Sequence, residues 1–200
     1  MNVIDKLTSE IISHGSTYIA ERVGTIVKKC AFSPNTRDRM DLNCLLTDSK
    51  GHIITQTEHI PVHLGSMYVG MKNFLNYLEN ENIDVHDGDV FIVNDPYIIG
   101  THLNDVTVLK PIFQDDKLIS WIVRKAHHVD VGGSFPGNLS IHAKTLYGEG
   151  LVIPLLKIVE QGRLRRDILK FILSNVRIPK YTLGDSNAQY YQDVRSVKRG

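Results

Sequence analysis

The N-terminal part of the chain alternates between apolar and polar positions with the period of an α-helix. From about residue 3 to residue 30, apolar side chains recur at steps of three and four residues, which is the spacing of one helix face. Gly15 and Gly24 interrupt this pattern, each at a cost of about 1 kcal/mol relative to alanine. We predict one long N-terminal helix with one face on a core.

Two short segments with the composition of strands follow this helix. Residues 42–47 and 52–56 are separated by the turn-forming residues 48–51, and this pattern is typical of a β-hairpin. In the next segment, Pro61 and Gly65 predict an irregular loop. Ser66 is then the expected N-cap of a helix that begins after it.

Three further strands are expected in the middle of the chain, at residues 90–93, 106–113 and 117–130. They are rich in β-branched and aromatic residues, as strands usually are. The third is apolar on both faces around Trp121, which indicates a strand in the interior of its sheet. A last strand-like segment contains Pro154 and is therefore expected at an edge or an end.

Two helices complete the pattern, from about residue 164 to 175 and from about residue 184 onward. Together these elements predict an α+β (mixed α/β) fold: a mostly antiparallel or mixed sheet, with the long N-terminal helix and further helices on its faces. At 200 residues the chain is long enough for one well-buried domain. Since no repeat or linker divides it, we expect a single domain over residues 1–200.

Composition is that of an ordinary globular protein and excludes several classes of function. Hydrophobic residues make up 42% of the chain and the formal net charge is +1, so neither nucleic acid nor a membrane is expected as a partner. No signal peptide is evident, which predicts a cytoplasmic protein and buried, reduced thiols at Cys30 and Cys44. Motifs for phosphate binding and for a serine nucleophile are missing from the sequence, so we expect no nucleotide site of its own.

One loop carries much of the candidate chemistry. Residues 94–105 connect two predicted strands and contain Asp95, His102 and Asp105. Asp95 precedes a proline, which indicates a turn. His102 and Asp105 are three residues apart, close enough in a tight loop to bind one cation. The alternative interpretation is a polar surface loop.

Two other segments contribute candidates to the same site. His59 and His63 are predicted loop residues that either shape the turn or contact a substrate or metal. At the end of the apolar strand, His127 and His128 cannot both enter one site unless the strand bulges, because neighbouring side chains point to opposite faces. Asp130 would orient an imidazole.

Two histidines with one carboxylate leave positions open for water or substrate. This ligand set suits Mn, Fe, Co or Zn better than Ca or Mg. Such a divalent metal would polarise a carbonyl or generate hydroxide near neutral pH.

Four motifs, in order along the chain, resemble the hydantoinase B/oxoprolinase family. They are EHIPVHLGSM at residues 58–67, NDPY with GTHL and Asp105 at residues 94–105, HHVDVGG with a later EGL at residues 127–151, and GD with AQ at residues 184–189. The resemblance covers essentially the whole chain. It implies a metal-dependent subunit that works in a hetero-oligomer beside a larger, ATP-using partner of hydantoinase A type.

Pairs of this kind hydrolyse cyclic amides such as N-methylhydantoin or 5-oxoproline with ATP, and relatives carboxylate acetone or acetophenone. The resemblance therefore implies a small-molecule substrate and either cyclic amide hydrolysis or, as the alternative, ketone carboxylation. The metal ligands it implies are His102, Asp105 and one of His127 and His128. The chain departs from the family at Asn104, where a proline is usual.

The remaining roles are assigned to four residues. Asp95 or Asp130 is the candidate base, and His59 or His63 the candidate substrate contact. Family members are much longer than 200 residues. We therefore expect the N-terminal portion of a longer catalytic subunit or, in a different functional class, a truncated non-catalytic module that only assembles with the partner.

Overall fold

The structure is a computed structural model that describes residues 5–57, 59–137 and 141–196. Its helices are α1 (Lys6–Cys30), α2 (Pro34–Arg37), α3 (Pro61–Asn80), α4 (Leu146–Glu149), α5 (Arg166–Ser174) and α6 (Pro179–Ser196). Its strands are β1 (Leu42–Asp48), β2 (Ile53–Gln56), β3 (Val90–Val93), β4 (Asp105–Gln114), β5 (Lys117–His127), β6 (Leu156–Glu160) and β7 (Arg163–Leu164). The predicted helical residues 3 and 4, and Glu58 of the first motif, lie outside the described residues.

The strands form one seven-stranded sheet in the order β2-β1-β5-β4-β3-β6-β7, and every neighbouring pair is antiparallel. This confirms the predicted fold class and the long N-terminal helix. Strand β5 lies between β1 and β4, and Trp121 at its middle is fully buried, as its apolar pattern predicted. Strand β6 begins after Pro154 and has only the two-residue β7 beyond it.

Alternating side chains of the strands build a core on each face of the sheet. On β3, Phe91 and Val93 join the cluster under α3, whereas Val90 and Ile92 join the cluster under α5 and α6. Phe74 of α3 packs edge-on against Trp121, with ring centroids 5.0 Å apart. This packing places α3, including its first turn, on the face of the sheet to which the side chain at the end of β5 points.

The prediction of a loop before Ser66 is wrong, because α3 already begins at Pro61. Proline is tolerated in the first turn, where its missing N–H would have no helical partner. Gly65 costs the helix only about 1 kcal/mol relative to alanine. Burial of Met67, a core residue of the same helix, offsets this cost. His63 is therefore a first-turn helical residue and not a loop residue.

Two smaller expectations also change. The last helix begins at Pro179 and not near residue 184, again with a proline in its first turn. Cys44 is buried, and burial raises the pKa of its thiol to about 12, but Cys30 is exposed. Among the described residues, no helix combines the length and the apolarity that crossing a membrane requires.

Candidate metal centre

Asp105 and His127 meet because of the register between two antiparallel strands. Asp105 opens β4 and His127 ends β5, and the two residues are direct cross-strand partners. Their side chains lie on the same face of the sheet, with Asp105 Oδ1 3.3 Å from His127 Nδ1. Asp105 is 0% exposed.

The loop before β4 adds His102 to this pair. The Asp105 backbone N–H donates to the His102 carbonyl at 3.1 Å and closes a tight turn. His102 Nδ1 then lies 3.2 Å from Asp105 Oδ2, and His102 Nε2 lies 3.0 Å from His127 Nδ1. One ligand atom from each of the three residues falls within 4.8 Å of the others. His102 is the most open member, with its side chain 25% exposed.

Sequence reasoning assigned no role to Asp41, which also lies at this cluster. Asp41 immediately precedes β1, and its carbonyl accepts the His127 backbone N–H at 2.9 Å. Its Oδ2 is 4.0 Å from His127 Nδ1. The signal that would have found it is the β1–β5 register, in which Leu42 is opposite Ala126 and Asp41 therefore falls beside His127.

His63 reaches the cluster from the first turn of α3. Its Nε2 lies 3.3 Å from Asp41 Oδ1, and its Nδ1 lies 3.9 Å from Asp105 Oδ2. The ring is 1% exposed, so it is enclosed by the surrounding protein. The structure thus places this predicted substrate residue against the two carboxylates.

Hydrogen bonds within the cluster determine the protonation state of Asp105. Burial on its own would raise the pKa of Asp105, but hydrogen bonds from His102, His127 and Thr101 outweigh it and hold that pKa well below its usual range. The same contact with Asp105 raises the pKa of His102. Asp105 is therefore a carboxylate at neutral pH, as metal binding requires.

Lys125 is a second residue that sequence reasoning did not single out. It lies two residues before His127 on the same strand face, and its Nζ donates to the Ile99 carbonyl at 2.9 Å. Burial lowers its pKa to about 8, against the attraction of Asp105. This bond ties the middle of the 94–105 loop to β5.

The donor set fits a divalent transition metal. Two imidazoles and a carboxylate are the ligands that Mn, Fe, Co and Zn accept. Two buried nitrogens at the cluster, His127 Nε2 and His63 Nδ1, have no hydrogen-bond partner among the described residues. Buried polar atoms normally have partners, so these atoms mark a place where further interactions are expected.

The structure does not bring His128 or Asp130 into this cluster. His128 points to the other face of the sheet, where its Nε2 lies 2.9 Å from Gln189 Oε1 of α6. Because the strand does not bulge at this point, only His127 of the histidine pair faces Asp105. Asp130 accepts hydrogen bonds from the backbone N–H groups of Gly132, Arg177 and Ile178.

Asp95 and His59 also have contacts of their own. Asp95 Oδ1 accepts the Tyr97 N–H at 2.9 Å, which is the turn-forming role that its position before proline indicates. His59 packs against α1: a Cβ atom added to Gly24 would lie 2.9 Å from His59 Nε2. Burial lowers the pKa of His59, which favours the neutral ring.

Comparison with known proteins shows the family of this chain. The family model for Hydantoinase B/oxoprolinase matches residues 5–196. An uncharacterized protein of Methanocaldococcus jannaschii is 54% identical over 93% of this chain and 33% of its own length. Caprolactamase subunit beta of Pseudomonas jessenii is 36% identical over 95% of this chain and 32% of its own length. The 5-oxoprolinase of Saccharomyces cerevisiae is 38% identical over 83% of this chain and 13% of its own length.

Two solved structures share the fold. The ATP-dependent caprolactamase of Pseudomonas jessenii superposes with a TM-score of 0.85 at 34% identity, covering 99% of this chain and 34% of that one. The nucleotide-free acetone carboxylase superposes with a TM-score of 0.82 at 26% identity, covering 95% of this chain and 25% of that one. The chain thus spans about a third or less of these relatives. It belongs to the hydantoinase B/oxoprolinase family.

Proposed function

We propose that this chain is the metal-binding part of an enzyme that hydrolyses a cyclic amide, of the hydantoin or 5-oxoproline type, at the expense of ATP. The observation that carries the proposal is the largely buried His102–Asp105–His127 cluster, in which three ligand atoms lie within 4.8 Å of one another. Relatives named for caprolactam and 5-oxoproline hydrolysis supply the substrate class.

In this proposal His102, Asp105 and His127 hold a divalent metal, which supplies Lewis acidity toward a carbonyl or an attacking water. Asp105 has no exposed surface. Its role would be to compensate the positive charge of the metal. The substrate approaches from the side of His102, the most open ligand. Lys125 and the turn at Asp105 keep the loop in place before any substrate arrives, so binding costs little reorganisation.

ATP would be used through another subunit. The sequence contains no phosphate-binding glycine motif of the usual kinds, and a relative of this chain is named as the beta subunit of its enzyme. We propose a hetero-oligomer with a larger, ATP-using subunit of hydantoinase A type. Because the chain spans about a third of the caprolactamase subunit, the complete activity would also draw on protein segments beyond this one.

Ketone carboxylation is the second candidate, and the acetone carboxylase fold favours it. Both reactions begin with a carbonyl compound that ATP activates, so the same metal site serves either one.

A truncated module that only assembles with the partner would need no metal at all.

Metal analysis of the purified chain is the first test. The proposal expects about one divalent transition metal per chain, lost in His102→Ala and Asp105→Ala. His52→Ala is the matched control, because His52 forms a similar histidine–aspartate pair with Asp48 at the surface, at 2.9 Å. If wild type binds no metal, or if the two cluster variants retain it, the metal site is refuted.

Phosphate release from ATP then separates the reactions. The chain and its partner subunit are assayed together with a hydantoin, 5-oxoproline, acetone or acetophenone. Turnover with a cyclic amide supports the first candidate, and bicarbonate-dependent turnover with a ketone supports the second. ATP turnover by this chain without the partner contradicts the proposed division between subunits.

A further inference from the structure

His63 occupies a position between the two carboxylates of the metal centre. It comes from the first turn of α3, whereas Asp41 precedes β1 and Asp105 opens β4. Each ring nitrogen faces a different carboxylate: Nε2 lies 3.3 Å from Asp41 Oδ1, and Nδ1 lies 3.9 Å from Asp105 Oδ2. Only the first of these distances is that of a hydrogen bond.

The contact with Asp41 determines the tautomer of His63. An ionised carboxylate can only accept a hydrogen bond, so Nε2 must carry the proton and donate it to Asp41. A neutral ring then has a lone pair on Nδ1, in agreement with the absence of a hydrogen-bond partner for Nδ1 among the described residues. The imidazole is thus oriented as a donor to Asp41.

This hydrogen bond fixes the orientation of the Asp41 carboxylate. With Oδ1 bound to His63, the other oxygen, Oδ2, faces His127 Nδ1 at 4.0 Å. The Asp41 side chain is partly exposed, at 20%. The residue follows Met40, whose φ of 56° is unusual for a residue with a side chain. Without His63, nothing else that the structure describes binds Oδ1.

We propose that His63 is a positioning residue that orients the Asp41 carboxylate toward the proposed metal site, and that it does not contact the substrate. The inference rests on that proposed site and concerns only the role of His63. Partners that orient a ligand from outside the metal's own shell commonly contribute about 10–100-fold to metal affinity.

Three substitutions of His63 separate its two nitrogens. The amide nitrogen of glutamine takes the place of Nε2 and can donate to Asp41, whereas that of asparagine takes the place of Nδ1 and cannot reach it. We expect His63→Ala and His63→Asn to weaken Zn²⁺ binding by about 10–100-fold, and His63→Gln to stay close to wild type. Affinity is measured by competition with a chromogenic chelator on variants whose metal-free thermal unfolding shows that they are folded.

The matched control is His128→Gln, a buried histidine that bonds Gln189 on the other face of the sheet. It should leave Zn²⁺ affinity unchanged. The d–d absorption of the Co²⁺-loaded protein is a second readout: the altered orientation of Asp41 should change the bands in His63→Ala and not in His63→Gln.

The outcomes distinguish this inference from the proposed function. If wild type binds no Zn²⁺, the proposed metal site fails and this inference fails with it. If wild type binds Zn²⁺ and all three His63 variants bind it equally well, the metal site stands and the positioning role is refuted. Rescue by asparagine and not by glutamine would also refute it, because it would assign the effect to Nδ1.

Discussion

Asp105 and His127 are direct cross-strand partners at the end of the β4–β5 hairpin, with Oδ1 and Nδ1 3.3 Å apart. Neither residue depends on a flexible loop for its position, because each belongs to a strand in the interior of the sheet. Sites on strands hold their geometry more accurately than sites on loops. The loop residue His102 joins a pair that the sheet already holds in place.

Asp105→Asn should abolish metal binding while the fold persists. The amide is nearly the same size as the carboxylate but lacks the charge that compensates a divalent cation. We expect a loss in Zn²⁺ affinity greater than the roughly 10–100-fold cost of removing an outer partner, measured by chelator competition. Asp48→Asn, which affects the surface pair with His52, is the control. Unchanged affinity in Asp105→Asn would remove Asp105 from the ligand set.

Metal affinity should fall as the pH is lowered. The fall should begin at a higher pH than it does for an ordinary histidine site. His102 must be neutral to bind metal, and its hydrogen bond to Asp105 raises its pKa above 6.5 in the metal-free protein. Protons therefore compete with the metal once the pH falls through that raised pKa. Chelator competition from roughly pH 8 to pH 6 measures the effect. A constant affinity down to pH 6.5, the ordinary histidine value, contradicts the expected shift.

Asp130→Ala should lower stability and leave metal affinity unchanged. The Asp130 carboxylate accepts hydrogen bonds from the backbone N–H groups of Gly132, Arg177 and Ile178. A hydrogen bond to a charged group contributes about 1.5–3 kcal/mol to stability. Its ion pair with the Arg177 side chain, which is 39% exposed, adds little because of solvent screening. Urea unfolding of this variant measures its stability, and Zn²⁺ titration measures its metal affinity. A large loss of metal affinity with normal stability would restore Asp130 to the site.

The sequence allowed prediction of the parts of the site that depend on local chain geometry. His102 and Asp105 are close because the loop between them is tight. Strand alternation allows only one of His127 and His128 to face Asp105, and the register shows that it is His127. The pattern of apolar residues predicted that β5 is an interior strand, around Trp121. These relationships involve residues close in sequence or within one hairpin.

Asp41 and His63 could not be placed in the same way. Asp41 reaches the cluster only through the pairing of β1 with β5, a contact between distant parts of the chain whose register no local pattern specifies. His63 was misplaced because Pro61 looked like a helix breaker, although proline fits the first helical turn. Burial by tertiary packing of α3 on the sheet then outweighed the local propensity of Gly65.

Asn94→Ala should destabilise the protein more than any surface asparagine substitution. Asn94 is fully buried, and its side-chain amide donates to the Leu103 and Leu151 carbonyls at 2.8 and 2.9 Å. Its oxygen accepts the Ile153 N–H at 2.6 Å, so one side chain joins the start of the 94–105 loop to its end and to the segment before β6. Removing it leaves two buried backbone groups and one part-buried group without this partner, and each buried group costs about 1–3 kcal/mol.

Urea unfolding of Asn94→Ala measures that loss, with Asn175→Ala as the control. The Asn175 side chain donates to the Phe171 carbonyl at an exposed helix end, where water replaces the lost bond and the expected change is within about 0.5 kcal/mol. Because Asn94 anchors the loop that carries His102, Zn²⁺ affinity should fall together with stability in Asn94→Ala. Equal stability of the two variants would mean that the 94–105 loop is held chiefly by the Lys125–Ile99 bond and by the turn at Asp105.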